Sequence, residues 1–310
     1  QTISSHPFAG RKVVHIMPSG GSGAGNVHKY HWLLDNGHVY FSGFSEAFGS
    51  YSGVHNNTAT VNIQTPVRLT RSDDEINRIV SGTTRQKVVS MWTSGGRNST
   101  QWYVTDYGIL FSQGENTHGQ QGTNSSQTSG AANGNQGNWM LSECQCSDMG
   151  DTWKGSAIAT TSTEADKKEG TFGSFKPGNS NENHLKIGKP MKVISSQPGT
   201  DVTNGCMMLD DNGQVWITGE WASYNPNMWT EMDLELPTEG TADFYDVWVP
   251  CWSQPEKMID IAMPDQSTYQ SWWGLGESGV LYHGGYLVDG SSGAAISTTV
   301  GWSSVPITTK

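Results

Sequence analysis

One nine-residue pattern occurs four times along the chain and constrains its fold more than any other feature. It runs acid, any residue, glycine, any residue, aliphatic, aromatic, two further residues and glycine. Its fixed residues are Asp35, Gly37 and Gly43; Asp106, Gly108 and Gly114; Asp211, Gly213 and Gly219; and Glu277, Gly279 and Gly285. Glycine supplies the positive φ of a tight turn, and the acid accepts hydrogen bonds from nearby backbone amides. Each copy therefore predicts a tight β-turn that leads into a strand.

Apolar segments upstream of each pattern predict two further strands per copy. HWLL, QWYV, CMML and SWWGL come just before the four turns. Lysine-led apolar segments lie farther upstream, at Lys12, Lys87 and Lys257. Lys192 has a similar offset from its turn, although it equally suits the end of the preceding copy. We therefore expect an all-β chain built from repeated units of three strands and a turn.

The pattern resembles the repeat of the RCC1 (regulator of chromosome condensation) family, in which each repeat forms a blade of a β-propeller. The second copy is the most similar, since it continues with Asn116-Thr117-His118-Gly119-Gln120-Gln121-Gly122, like the family's Asn-x-x-Gly-Gln-x-Gly loop. The first copy keeps only Phe48-Gly49 of that loop. TPVRL (65–69) and KPMKV (189–193) are similar to the family's repeat ending. The resemblance implies a divergent RCC1-like propeller in which residues 1–310 form a single domain.

The chain departs from the family in the number and spacing of its repeats. Only four copies are visible, and residues 123–188 are predicted as a long insertion within the domain. Three alternatives remain open: four large blades, further blades that have diverged beyond recognition, or a second chain that supplies the rest. The last segment, GWSSVPITTK, is expected to pair with an N-terminal strand and close the ring.

Charge and composition narrow the range of partners. The net charge of −11 disfavours nucleic acid, because binding to phosphates requires clustered Lys and Arg. Apolar runs are too short to span a membrane, so we expect no membrane insertion. The opening QTISSHPFAG lacks the features of a signal peptide, which suits a mature secreted product or a segment of something longer. The richness in glycine, with 38 residues, and the low charged fraction of 15% resemble the composition of extracellular or virion-surface proteins.

Residue clusters that would indicate catalysis, a metal or a cofactor are weak, and we predict none of the three. Cys144 and Cys146 are spaced too closely for a typical zinc site, and Cys206 and Cys251 are distant in sequence. Disulfides and buried thiols both remain possible for these four cysteines. Carboxylates at 231, 233 and 235 are the only candidates for a pair of catalytic acids, and their separation in space would have to decide that.

Four aromatic residues in predicted loops of the third and fourth copies are the candidate ligand-binding residues: Trp221, Tyr224, Trp229 and Trp252. Large rings in loops serve as anchors at protein interfaces and stack on sugars. The main hypothesis is a non-enzymatic extracellular or virion-surface adhesion module that binds a glycan or protein receptor through these loops. One alternative is a structural subunit of a fibre or virion appendage that contacts copies of itself or other surface proteins. The other is a secreted polysaccharide-acting enzyme.

Overall fold

Short apolar segments separated by glycine turns form strands throughout the part of the chain that the structure describes. A computed structural model of the protein describes residues 8, 10–21, 27–45, 61–69, 87–94, 100–106, 108–114, 116, 119–122, 136–141, 143–147, 167–171, 188–195, 205–220, 244–251, 254–263, 271–288 and 295–305. Their regular secondary structure is 18 β-strands, which confirms the all-β prediction.

Sixteen of these strands form four successive antiparallel sheets of four strands, and we call each sheet a blade. Blade 1 contains β1 (Val13–Gly21), β2 (Val27–Leu34), β3 (Val39–Ser45) and β4 (Val61–Arg68). Blade 2 contains β5 (Val88–Thr93), β6 (Thr100–Thr105), β7 (Leu110–Gly114) and β8 (Gln136–Leu141), and it is followed by β9 (Glu143–Ser147) and β10 (Lys167–Thr171). Blade 3 contains β11 (Pro190–Ser195), β12 (Cys206–Asp210), β13 (Val215–Glu220) and β14 (Phe244–Pro250). Blade 4 contains β15 (Met258–Ala262), β16 (Ser271–Gly276), β17 (Leu281–Val288) and β18 (Ala295–Ser304).

The two remaining strands widen blade 3 and lie within the segment predicted as an insertion. β9 pairs with β14 in parallel, with Trp248 opposite Cys144, and β10 pairs with β9 in antiparallel fashion. The same segment also contains β8, which is the fourth strand of blade 2. Residues 123–188 therefore contribute regular sheet to two blades in addition to their loops.

The four blades follow one another around their first strands. β1, β5, β11 and β15 lie beside one another in that order, so we call them the inner strands. Each pair of successive blades encloses one hydrophobic cluster. The cluster between blades 1 and 2 includes Val39 and Met91, and the cluster between blades 2 and 3 includes Leu110 and Val193. The cluster between blades 3 and 4 includes Val215 and Ile261.

One sequence expectation about strand pairing is wrong, and another is tested only in part. Residues 301–304 belong to β18 and pair with β17 of their own blade, with Ser304 opposite Tyr282. Their antiparallel partner is thus the neighbouring strand in sequence. Residues 1–7 and 306–310 lie outside the described residues, so pairing with an N-terminal strand stays a prediction. The segment KPMKV does not end a repeat, because it enters β11, the inner strand of blade 3. TPVRL does lie on the last strand of its blade, β4, as expected for a repeat ending.

The structure describes no helix that is both long and apolar enough to cross a membrane, among the residues it covers.

Candidate functional site

A β-bulge interrupts every inner strand at the same place. Pairing of the inner strand with its neighbour skips one residue between Val13 and His15, and it does so at the equivalent place in β5, β11 and β15. The skipped residues are Val14, Val89, Met191 and Ile259. A bulge leaves its extra residue out of the hydrogen-bonded ladder and redirects that side chain. All four bulges therefore take the equivalent aliphatic residue out of the ladder and redirect its side chain.

These four side chains are exposed, and together we call them the inner row. Val14 is 59% exposed, Val89 52%, Met191 60% and Ile259 59%. Single exposed aliphatic residues are common on protein surfaces. Four at one repeat position, on strands that lie side by side, place one exposed aliphatic side chain on each blade. This feature is the strongest candidate interface among the described residues.

An ion pair lies next to the inner row at the end formed by blades 3 and 4. Lys192 and Asp260 follow the bulged residues of β11 and β15, and the Lys192 Nζ donates to Asp260 Oδ1 at 2.7 Å. The hydrogen bond from Lys192 holds the pKa of Asp260 below its ordinary value. Because both side chains are substantially exposed, the pair adds little stability. The equivalent residues of blades 1 and 2 are His15 and Ser90, so charge is placed only at one end of the row.

The repeat turns have one backbone arrangement in all four blades. Gly37, Gly108, Gly213 and Gly279 have φ between +78° and +83°. The acid of each turn donates its backbone N–H to the carbonyl of the lysine that precedes the inner strand of its own blade, at 2.8–2.9 Å. These donors are Asp35, Asp106, Asp211 and Glu277. The second glycines Gly43, Gly114 and Gly219 also have positive φ, and Gly285 lies within β17 opposite Thr299.

The lysine that heads blade 3 is Lys189, and the assignment of Lys192 to this position is wrong. Asp211 N–H donates to the Lys189 carbonyl, and the Lys189 N–H donates in return to Asp211 Oδ1 at 2.7 Å. Asp106 and Lys87 form the same reciprocal pair in blade 2. Counting residues back from the turn misplaced the lysine, since the loop between the first two strands differs in length from blade to blade.

The Asn-x-x-Gly-Gln-x-Gly loop of blade 2 binds its own blade and the next. Asn116 Oδ1 accepts the Gln121 N–H at 3.0 Å, and Gln121 Nε2 donates to the Gly114 carbonyl at 2.8 Å. Across the junction, the Thr218 hydroxyl of blade 3 donates to the Gly119 carbonyl at 3.1 Å. The described residues of the loop thus have a structural role between blades.

A buried carboxyl group supports the turn of blade 3. Asp210 accepts hydrogen bonds from the backbone N–H groups of Asn212 and Gln214, and its second oxygen accepts one from Trp216 Nε1. Burial raises the pKa of Asp210 to about 6, because the hydrogen bonds offset only part of the desolvation. Blade 2 has Thr105 at the same position, whose hydroxyl accepts the Ile109 N–H. This equivalence assigns Asp210 a place in the turn and no catalytic contact.

The cysteines and other potential metal ligands show no cluster in the described part of the chain. Cys206 and Cys251 are buried thiols in two different junction clusters, and Trp302 Nε1 lies 3.3 Å from Cys251 Sγ. Cys144 and Cys146 lie on β9. No group of three His, Cys, Asp or Glu side chains is arranged to hold a metal ion within these residues.

The four predicted ligand-binding aromatics, Trp221, Tyr224, Trp229 and Trp252, lie outside the described residues, as do the carboxylates at 231, 233 and 235. Their role stays a prediction. Sequence reasoning missed the inner row, although a signal for it existed. Two consecutive apolar residues break the strand alternation at the same place in every copy: Val13-Val14, Val88-Val89, Pro190-Met191 and Met258-Ile259. In a half-buried strand, such a repeated doublet indicates a bulge with one exposed member.

No family model and no curated protein matches the sequence. Solved structures resemble the fold, and three of them are each at 12% sequence identity. Human WBSCR16 has a TM-score of 0.49 and aligns with 96% of this chain and 52% of its own. Yeast RCC1 (Prp20), in a structure of Kap60 bound to it, has a TM-score of 0.47, with 90% of this chain and 45% of its own covered. Prp20p from Saccharomyces cerevisiae has a TM-score of 0.36, with 89% of this chain and 59% of its own covered.

The chain thus spans about half the length of the structures that it matches. Because all three TM-scores are below 0.5, the fold assignment rests on the blades themselves. Four consecutive four-stranded sheets are arranged side by side around their first strands, and each carries the same acid–glycine turn and the same bulge. The chain therefore has a β-propeller fold whose blades resemble the RCC1 repeat, with four blades in the described residues.

Proposed function

We propose that this chain is a non-enzymatic recognition module that binds a protein receptor through the inner row. The single observation that carries the proposal is the exposure of Val14, Val89, Met191 and Ile259 at one bulge position in four adjacent strands. Aliphatic side chains gain free energy when a partner removes them from water, and rigid strands hold them in place before binding.

A protein receptor suits the chemistry of this surface better than a glycan does. Sugars are bound by flat aromatic rings and by dense hydrogen-bonding groups, whereas the inner row offers aliphatic groups and one ion pair, Lys192–Asp260. The proposal rests on this surface and not on the partners of the similar structures. An extracellular or virion-surface location is proposed from composition alone. A glycan receptor for the Trp-bearing loops is proposed from the aromatic rings that the sequence places there.

A structural subunit that contacts copies of itself is the second candidate function. The observation that favours it is the 47% exposure of Ile16 on blade 1, where the equivalent residues of the other blades are buried. The third candidate function is a polysaccharide-acting enzyme. It would require two carboxylates that converge in a cleft, and Asp233 and Glu235 are its candidates.

The experiment is a retention assay with purified chain on a surface, exposed to separate panels of surface proteins and surface polysaccharides. Release of soluble products is followed in the same samples. A variant with Met191→Ser and Ile259→Ser removes half of the inner row, and Trp229→Ala with Trp252→Ala removes two loop aromatics. The variant Asp233→Asn with Glu235→Gln removes the candidate acids.

Retention of a protein that is lost in the inner-row variant, and kept in the other two, is the expected result. Retention of a polysaccharide that depends on the tryptophans would overturn the inner row as the binding surface. Product release that disappears in the carboxylate variant would overturn the non-enzymatic assignment.

A further inference from the structure

The junctions that follow blades 1 and 3 cover the same set of residues on the earlier blade. On blade 4 these positions are Leu275, Leu281 and Val305, and we call them, with Gly279, the trailing face. All three side chains are only half-buried. The equivalent side chains of blades 1 and 3 are almost completely buried in junction clusters: Leu33, Val39 and Leu69, and Leu209, Val215 and Cys251. The trailing face therefore has apolar residues like those of an internal junction, but its side chains are less buried than theirs.

The equivalence extends to the backbone. Val305 N–H donates to the Leu281 carbonyl at 2.8 Å, as Leu69 N–H does to Val39 and Cys251 N–H does to Val215. Blade 4 thus ends in the same conformation that blades 1 and 3 use to present an apolar surface to the next blade.

Blade 1 shows the complementary exposure on its opposite side. Val13 and Ile16 of β1 are 37% and 47% exposed, and we call this pair the leading face. The equivalent residues of blades 2 and 4 are at most 4% exposed because the preceding blade covers them: Val88 and Met91, and Met258 and Ile261. Farther out on blade 1, the Phe8 ring packs on Trp32 and Tyr40 at centroid distances of 5.7 and 5.2 Å. The outer part of that side is therefore covered, and the inner part is exposed.

A contact between glycine and lysine marks each internal junction. A Cβ built on Gly37 would stand 2.5 Å from a side-chain carbon of Lys87 in the next blade. The same proximity joins Gly108 to Lys189 at 2.5 Å and Gly213 to Lys257 at 2.8 Å. Gly279 has the same φ, yet its built Cβ meets open space. Lys12 occupies the corresponding lysine position on blade 1, where Asp35 N–H binds its carbonyl as in the other blades.

We propose that the trailing face of one chain binds the leading face of a second copy of this chain, with Lys12 of the second copy packed on Gly279. At each internal junction, the earlier blade packs against the inner strand of the next blade, and a lysine precedes that strand. The trailing face is therefore expected to bind the inner strand of a similar blade. Within the described residues, no blade of the same molecule covers either face, and the occupant that matches the internal junctions is a like blade of a second copy. The contact is heterologous, and it produces a closed ring of copies or an open array according to whether the rotation closes.

The proposal concerns residues that are distinct from the inner row, and its test requires no ligand. Sedimentation equilibrium of the purified chain is expected to show assemblies of at least twice the 33.7 kDa chain mass. Ile16→Asn alters the leading face at an exposed position. Gly279→Asn blocks the trailing face without straining the free chain much, because asparagine tolerates positive φ and its Cβ meets open space there.

Each variant alone is expected to be a folded monomer, with the circular dichroism spectrum of the wild type. An equimolar mixture of the two is expected to form a dimer, because the intact trailing face of the Ile16→Asn chain meets the intact leading face of the Gly279→Asn chain. Val89→Asn, at another exposed aliphatic residue of an inner strand, is the matched control and is expected to assemble like the wild type.

A monomeric wild type across the concentration range would overturn the proposal. Assembly that survives both single variants, or that is lost equally in Val89→Asn, would overturn it as well. Failure of the mixture to form a dimer would exclude the heterologous contact and leave a symmetric one. None of these results depends on the receptor assay, so receptor binding through the inner row stands or falls separately. The second candidate function, self-association, rests on the same exposed Ile16 and is tested here.

Discussion

Gly213 of blade 3 lies against Lys257 of blade 4 so closely that a Cβ on the glycine would stand 2.8 Å from the lysine Cβ. Real side chains essentially never approach that closely. The glycine is therefore required both by its φ of +82° and by the neighbouring blade. Gly279 has a φ of +83° and no such neighbour within 4 Å.

This pair of glycines separates backbone strain from packing between blades. Gly279→Ala is expected to lower the free energy of unfolding by about 1 kcal/mol, the usual cost of a left-handed conformation for a residue with a Cβ. Gly213→Ala has the same backbone cost and adds a steric overlap, so we expect a further loss of about 1 to 3 kcal/mol. Urea unfolding of both variants measures the difference. Equal losses would show that the junction does not restrict Gly213.

A buried glutamine connects the turn of blade 3 to the start of blade 4. Gln254 Nε2 donates to the Gly213 and Glu256 carbonyls, and its Oε1 accepts from Val215 N–H and Gln214 Nε2. Gln254→Ala removes the acceptor of the buried Val215 N–H, whereas the Gly213 carbonyl keeps Met258 N–H and Gln214 Nε2 keeps the Val215 and Cys251 carbonyls. We therefore expect a loss of about 1 to 3 kcal/mol of unfolding free energy.

Gln254→Glu is the matched control, because it keeps the shape and the acceptor but removes the donor. We expect it to be nearly as destabilising at neutral pH, and less so in acid, where a protonated carboxyl group can donate once. A wild-type unfolding midpoint for both variants would rule out the bridging role.

The buried carboxyl group of Asp210 predicts an unusual dependence of stability on pH. Its pKa is about 6 in the folded chain, against an ordinary value of 3.8. Between these values the folded chain binds more protons than the unfolded chain, so the free energy of unfolding falls as pH rises. The loss contributed by Asp210 is on the order of 3 kcal/mol, complete above pH 6 and absent below the unfolded value.

Unfolding experiments from pH 4 to pH 7 test this dependence. Asp210→Asn is expected to flatten the fall, whatever its effect on stability at a single pH. Asp260→Asn is the contrasting control, because Lys192 lowers the pKa of Asp260 and its contribution is lost as pH falls. An unchanged slope in Asp210→Asn would assign the dependence to other groups.

Two isoleucines on β15 test whether the residues of the inner row contribute to the stability of the folded chain. Ile259 is 59% exposed and Ile261 is 1% exposed. Ile261→Ala is expected to lower the free energy of unfolding by about 2 to 4 kcal/mol, because it leaves a cavity in the cluster between blades 3 and 4. Ile259→Ala is expected to change it by roughly 0.5 kcal/mol or less. A comparable loss at Ile259 would mean that the residue packs within the chain, which would weaken the case for an interface.

The loop tryptophans are the subject of a separate prediction. If a glycan or protein receptor binds the loops of blades 3 and 4, Trp229→Ala and Trp252→Ala are each expected to weaken binding by about 1 kcal/mol or more. Calorimetric titration with a retained ligand measures this, with Met191→Ser as the comparison. Full affinity in both tryptophan variants would remove the loops from the binding surface.

What the sequence determined by itself was the local geometry. The acid–glycine turns at Asp106-Gly108 and Asp211-Gly213 were predictable because a positive φ and a short acid are decided within a few residues. The apolar segments around these turns then predicted the strands, and the repetition predicted the blades. By contrast, counting along the chain placed Lys192 where Lys189 belongs, since loop lengths vary and only the hydrogen bonds with Asp211 identify the partner.

Only the tertiary structure decided which apolar residues are buried. Val14 and Met91 look alike in sequence, yet a bulge exposes the first, and the preceding blade covers the second. The same is true of Ile16 and Ile261, which occupy equivalent positions in β1 and β15; among the described residues, a blade covers Ile261 and none covers Ile16. Burial depends on contacts between residues far apart in the chain, and no local pattern contains that information.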